Sequence, residues 1–282
     1  MMVRRYRHLA NHWTAFSLAT AILLSGCSST PIGSAGDGVS RHLPPPQDIA
    51  SIPDASPRDE PRSAYGNPES YVVFGERYRP LKESRGYSEK GIASWYGSKF
   101  HGRRTSSGEP YDMYAMTAAH KTLPLPSYAR VTNLKNDRSV IVKINDRGPF
   151  HENRLIDLSY TAAWKLGIIG EGTGLVEVTA IDPAAPEPPP TVAEAPPSPR
   201  KSHGLPALFL QVGAFGSAQN ADRLKQRIEE QLQVSVLIEE SANGANAVYR
   251  VQVGPIASVE LADHLSTRLD ELGIHNPHVV IR

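Results

Sequence analysis

The sequence predicts a multidomain fold: an all-β unit at residues 89–182 and an α+β unit at residues 207–282, preceded and joined by disordered segments. Three observations carry this reading. Short alternating apolar and polar runs, bounded by Gly, Pro and Asn, recur between Gly91 and Ile181, as half-buried strands require. Two similar segments, Phe209 to Phe215 and Tyr249 to Ile256, each lead into a helical apolar stripe. Prolines number 24 and mark out the segments between the units.

The chain opens on a leader. Arg4, Arg5 and Arg7 precede an apolar run from Trp13 to Leu24, shorter than the roughly 20 residues a membrane-spanning helix needs. It closes on Leu24-Ser25-Gly26-Cys27, which resembles the lipobox of bacterial lipoproteins. That resemblance implies a signal peptide over residues 1–26 and lipidation of Cys27 as the first mature residue. Acyl chains stabilise membrane attachment by about 0.8 kcal/mol per buried methylene, and two or more chains hold stably. Ser28 follows the cysteine, which resembles the outer-membrane sorting pattern of Gram-negative lipoproteins and implies an anchor facing the periplasm. Residues 27–88, rich in Pro, Ser, Gly and charge, are expected to form a disordered tether, with Tyr71 to Phe74 able to pack as a short arm.

In the all-β unit, Gly91 to Tyr96 and Ala129 to Asn133 read as strands, and Asn136-Asp137 as a hairpin turn before a strand from Ser139 to Ile144. Val140, Val142 and Ile144 alternate with Ser139, Ile141 and Lys143, so one face of that strand is strongly buried. Gly148-Pro149 stops it, which sets Asp146 at its mouth. A carboxylate there can be partly desolvated and hold a proton near neutrality; it can equally pair with Arg147 or cap the turn. Ser159 caps a short helix through Leu166 that Gly167 ends, and Leu175 to Ile181 is a closing strand.

Residues 183–206 form a second linker in which Pro188-Pro189-Pro190 favours extended polyproline geometry. Beyond it, Ala221, Leu224, Ile228 and Leu232 make one helical stripe, and Leu261, Leu265, Leu269 and Leu272 another. With Val234 to Glu239 and Val279 to Ile281 the order becomes β-α-β-β-α-β, whose open sheet face is a ligand platform. Gln211 and Arg250, alternating with apolar neighbours, are the expected ligand contacts on it.

Composition excludes several classes of function. Lys and Arg total 30 against 29 acids, so no field of one sign steers the chain to nucleic acid. The single cysteine precludes a disulfide framework or a cysteine metal cluster within the chain. His101, Asp112 and His120 match no ligand spacing, and neither a metal nor another cofactor is expected. Trp95 and Tyr96 offer flat apolar surface on which a ligand ring can stack, but by alternation at least one should point inward.

The segments Gly91-Ile92-Ala93-Ser94-Trp95-Tyr96-Gly97, Phe100-His101-Gly102-Arg103, Thr105-Ser106-Ser107-Gly108-Glu109, Thr117 to Pro124 and Ile144 to Phe150 together resemble the rare lipoprotein A family. Residues Leu208 to Arg282, through Gln211-Val212-Gly213 and Val253-Gly254-Pro255, resemble the SPOR domain, a peptidoglycan-binding module of cell-division proteins. The first resemblance implies a six-stranded double-psi β-barrel. It also implies a lytic transglycosylase, which cuts the β-1,4 bond between N-acetylmuramic acid and N-acetylglucosamine in strands lacking stem peptides and leaves 1,6-anhydro ends. Carried over by position, the family's important residues fall on Glu109, His120 and Asp146: Asp146 as acid and base, Glu109 as a second carboxylate, His120 as a positioning partner. Septal localisation and partners among division proteins belong to the same expectation. A non-catalytic glycan-binding scaffold like the expansins, and a hydrolase, are the alternatives.

Overall fold

The computed structural model describes residues 48–151, 153–184, 206–243 and 246–282. The signal peptide, Cys27, the first part of the tether and most of the Pro-rich linker lie outside the described residues. From residue 48 onward the expectation of a disordered tether is corrected. Ile49 is buried in the barrel core, and Ile52 and Ala55 pack beside it. The Ala55 N–H donates to the Ile141 carbonyl at 3.0 Å, and the Ile141 N–H donates to Asp54 Oδ1's partner oxygen, Oδ2, at 2.9 Å. An extended strap on a preformed surface needs only sparse anchors, which is why its composition resembles that of a free chain. It leads into a hairpin of β1 (Tyr71–Val73) and β2 (Glu76–Tyr78). The expected short arm is this hairpin, and the Tyr71 hydroxyl donates to the Lys121 carbonyl at 2.7 Å.

Six strands then close a barrel. They are β3 (Ser88–Trp95), β4 (Thr117–His120), β5 (Ser127–Asn133), β6 (Ser139–Asp146), β7 (Arg154–Leu158) and β8 (Gly174–Ile181), in the order β3-β7-β4-β6-β5-β8. β3 pairs with β7, and β4 with β6, in parallel; the other neighbours are antiparallel. Alternation explains the filling: Val140, Val142 and Ile144 of β6 face inward, with Val131 of β5, Ile156 and Leu158 of β7, and Val176 and Val178 of β8. Full closure leaves no strand edge for other chains to pair with. Helix α1 (Tyr160–Leu166) is capped as expected, by the Ser159 hydroxyl accepting from the Ala162 N–H and by Gly167 in the left-handed region. The sequence reading missed β4 and β7. β4 is Ala-rich, and β7 places Arg154 and Asp157 among its apolar residues.

The C-terminal unit follows the expected order: β9 (Leu208–Phe215), α2 (Ala218–Leu232), β10 (Val236–Asn243), β11 (Asn246–Ile256), α3 (Val259–Glu271) and β12 (His278–Ile281). Its sheet runs β10-β11-β9-β12. Leu208, Leu210, Val251 and Val253 are buried together with Ala221 and Ile228 of α2 and Ala262, Leu265 and Leu269 of α3. Residues that alternate with them, Phe209 and Gln211 on β9 and Arg250 and Gln252 on β11, take the helix-free face. Leu261, expected in the apolar stripe of α3, is instead exposed in its first turn.

Candidate active site

β6 carries the central acid. Its parallel pairing with β4 is irregular, with Ala118 opposite Ile144 and Ala119 opposite Asp146, so Asn145 is an extra residue in the ladder. Such a bulge re-aims the side chain beside it, and Asp146 lines a groove of about 420 Å³ at the barrel's surface. Gly148, at φ 137°, then turns the chain through a conformation that side-chain-bearing residues rarely adopt. Asp146 Oδ1 accepts from the Ser106 N–H at 2.7 Å, the Ser106 hydroxyl at 2.7 Å and the Arg147 N–H at 2.8 Å. The turn-capping alternative is thus realised at one oxygen without removing the residue from the groove. Pairing with the Arg147 guanidinium is not realised: that group donates to the Gly66, His120 and Leu123 carbonyls.

The same groove holds a second carboxylate that the sequence reading passed over. Asp157 sits in the middle of β7 and lines the groove with Asp146. Its Oδ1 accepts a hydrogen bond from the Ser94 hydroxyl of β3, the strand with which β7 pairs. Burial raises the Asp157 carboxyl above the usual range, against the Ser94 hydrogen bond and the charges of Arg154, His151 and Lys121. The available signal was a polar residue at an alternating position between Ile156 and Leu158, both fully buried. Around the rim stand three exposed cations, Lys99, Arg103 and Arg104.

Glu109 and His120 do not line this groove. Glu109 accepts from Lys143 Nζ at 2.8 Å and from the Asn145 side-chain amide at 2.8 Å, so it grips β6 immediately before Asp146. Burial pushes its carboxyl up, but the hydrogen bonds from Lys143 and Asn145 outweigh burial and leave it lowered. His120 is 2% exposed. Its Nδ1 accepts from the Thr122 and Leu123 N–H groups at 3.2 and 3.0 Å, which makes Nε2 the protonated nitrogen and the donor to the Tyr87 hydroxyl at 2.8 Å. Burial first, then the charges of Arg147 and Lys121, lower it to about 3, so it is neutral at ordinary pH. It folds the turn whose carbonyls hold the Arg147 guanidinium. The three residues chosen from sequence therefore surround one strand end, and only Asp146 reaches the groove.

Trp95 and Tyr96 line the groove too, yet both are more than nine-tenths buried, with Tyr96 stacked on Tyr111 at 4.1 Å between ring centroids. Their larger contribution is to the core. On the C-terminal sheet, Gln211 stands opposite Gln252 and His278, and Arg250 donates to the Ser241 hydroxyl. Gln252 itself is buried and held by Arg282. Among the described residues no group of three or more His, Cys, Asp or Glu could hold a metal ion; His101 and Asp112 approach to 3.7 Å without a third partner of that kind.

Residues 88–179 match the family described as lytic transglycolase, and residues 206–281 match the SPOR domain. A curated relative, the endolytic peptidoglycan transglycosylase RlpA of Pseudomonas aeruginosa, is 40% identical, with 91% of each chain covered. The protein of that name from Vibrio cholerae is 38% identical over 91% of this chain and 92% of its own. The crystal structure of the RlpA SPOR domain from Pseudomonas aeruginosa aligns at 27% identity with 26% of this chain and 96% of that chain, at a TM-score of 0.25.

Proposed function

Because this chain belongs to the RlpA family of endolytic peptidoglycan transglycosylases, we propose that its barrel groove cuts glycan strands between N-acetylmuramic acid and N-acetylglucosamine. The single observation that carries the reading is the pair of carboxylates, Asp146 and Asp157, lining one groove. Asp157, whose carboxyl burial shifts upward, gives its proton to the glycosidic oxygen as the bond from muramoyl C1 breaks. Asp146, held in place through one oxygen, faces the positive charge that develops at C1. The Asp157 carboxylate then takes the proton of the C6 hydroxyl, and O6 closes on C1. The proton given is the proton recovered, no water is consumed, and the product ends are 1,6-anhydro. This division of labour moves the acid and base role from Asp146 to Asp157, and the second-carboxylate role from Glu109 to Asp146.

Stem peptides attach to muramic acid through its lactyl carboxylate, so a strand without peptides presents free carboxylates along its length. Lys99, Arg103 and Arg104 at the rim suit such a strand. The SPOR unit would raise the local concentration of glycan at the barrel. Lipidation of Cys27, an outer-membrane anchor, septal enrichment and association with division proteins complete the proposal; they rest on the sequence resemblances alone. Digestion of peptide-free strands in ¹⁸O-labelled water tests the reaction. The expected products carry 1,6-anhydro ends without label. Labelled reducing ends would make the protein a hydrolase, and intact strands would make it a non-catalytic binder.

A further inference from the structure

The strap that precedes the barrel belongs to no element of the barrel itself, and it lies outside the span matched to the lytic family. Its contacts nevertheless converge on the loop and the strand end that hold Asp146. The Ser63 hydroxyl donates to the Ser107 carbonyl at 2.8 Å, next to the residue that supplies two of the three hydrogen bonds to Asp146. Gly66, at φ 80°, presses so closely on this loop that a Cβ there would fall 2.7 Å from the Ser106 carbonyl oxygen. Its own carbonyl accepts from Arg147 Nε at 2.8 Å. Asn67 Oδ1 accepts from Arg147 Nη2 at 3.2 Å and from the Leu125 N–H at 2.9 Å, and its amide donates to the Leu125 carbonyl at 2.7 Å.

We infer that residues 63–67 are a positioning element of the active groove, holding Ser106 and Arg147, and through them Asp146, at the geometry the reaction needs. Elsewhere the strap's side chains bind the barrel wall, as Asp54 does at Ile141 and Lys165 and Glu60 at Tyr128 and Lys143, whereas Ser63 and Asn67 bind the loop beside Ser106 and the guanidinium next to the acid. Arg147 is the point of convergence, because the strap takes one part of its guanidinium and the turn folded by His120 takes the other. The functional unit therefore begins before the first barrel strand.

The inference rests on the reading of the groove as the cutting site, and the experiment separates the two. In the full chain, Ser63→Ala, Ser63→Thr, Asn67→Ala and Asp146→Asn are assayed on peptide-free strands for turnover and half-saturation, with thermal melting alongside. Asp59→Ala, an exposed neighbour on the same strap, serves as the control. Misplacing a reacting group by a fraction of an ångström to an ångström costs roughly tenfold to a hundredfold in rate. The expected result is a fall of about that order in turnover for Asn67→Ala, and a smaller one for Ser63→Ala that Ser63→Thr restores, with half-saturation unchanged. Asp59→Ala stays at the wild-type rate. Wild-type turnover in folded Asn67→Ala and Ser63→Ala, with Asp146→Asn inactive, overturns the inference and leaves the groove intact as the site. An active Asp146→Asn overturns the reading of the groove instead. A turnover loss that disappears when rates are corrected for the folded fraction also overturns the inference, since the strap would then act on stability alone.

Discussion

Two further carboxylates are tied to the surroundings of Asp146, Glu109 through Asn145 and Asp157 through the shared groove, and their environments set them apart. Glu109 meets Lys143, Asn145 and, across Lys143, Glu60 of the strap. Glu60 is held down to about 2, chiefly by the Tyr128 hydroxyl and then against burial by Arg58 and Lys143. Asp157 meets the Ser94 hydroxyl and the groove, and burial raises its carboxyl against that hydrogen bond and the charges of Arg154, His151 and Lys121. The first environment favours the charged forms of both acids and so holds a strand in place. The second keeps one group able to change its charge, which acid and base chemistry requires. The contrast separates scaffold from chemistry more sharply than the bare presence of an acid does.

The largest effect should follow removal of the proton carrier. Asp157→Asn is expected to lower anhydro-product formation by about 10²- to 10⁴-fold, with binding to glycan retained, as measured by mass spectrometry and sedimentation. Next comes Glu109→Gln, which keeps the shape but weakens the grip on Lys143. Turnover should fall about tenfold without displacement of the pH profile, because Glu109 does not itself titrate in the reaction. Had Glu109 been the acid, its loss would abolish the alkaline limb of that profile.

The third effect is on stability. The folded-state value of His120 is lowered below its ordinary 6.5, so its burial stabilises fully above that pH and loses its advantage as pH falls towards about 3. The slope is about 1.4 kcal/mol per pH unit within that window. Glu60 and Glu109 lose their stabilisation only below about 4.5, their ordinary value. Asp157, shifted upward, acts in the opposite sense: it favours the folded state at low pH and loses that contribution as pH rises. Comparing melting curves of wild type and His120→Gln between pH 7 and 5 therefore isolates the histidine, and wild type should lose more stability across that range. The smallest effect belongs to the rim. Arg103→Gln with Arg104→Gln should raise half-saturation several-fold on peptide-free strands, and salt should narrow the difference, since exposed pairs contribute only about 0.2–1 kcal/mol each.

Much of this architecture is legible in the chain before it folds. The alternation of Val140, Val142 and Ile144 places β6, Ser159 and Gly167 bound α1, and the two repeated segments lay out the C-terminal unit. Local chemistry determines those features, so local patterns reveal them. The strap and the groove depend instead on contacts distant in sequence. Asn67 gains its role only where Arg147 and Leu125 close on it, and Asp157 only where β7 pairs with β3 and Ser94 meets it. His120 and Glu109 were found through resemblance, but the reason each matters, a turn held by an unprotonated Nδ1 and an anchored strand, is visible only in three dimensions.

The dependence of turnover on pH, measured on peptide-free strands for wild type and Asp157→Glu, tests the central claim most directly. The reaction needs Asp157 protonated, so wild-type turnover should fall as pH rises through the raised Asp157 value, and Asp157→Glu should keep that limb but displace it. A limb left in the same place by Asp157→Glu, yet displaced by Asp146→Glu, would contradict the account and return the proton to Asp146.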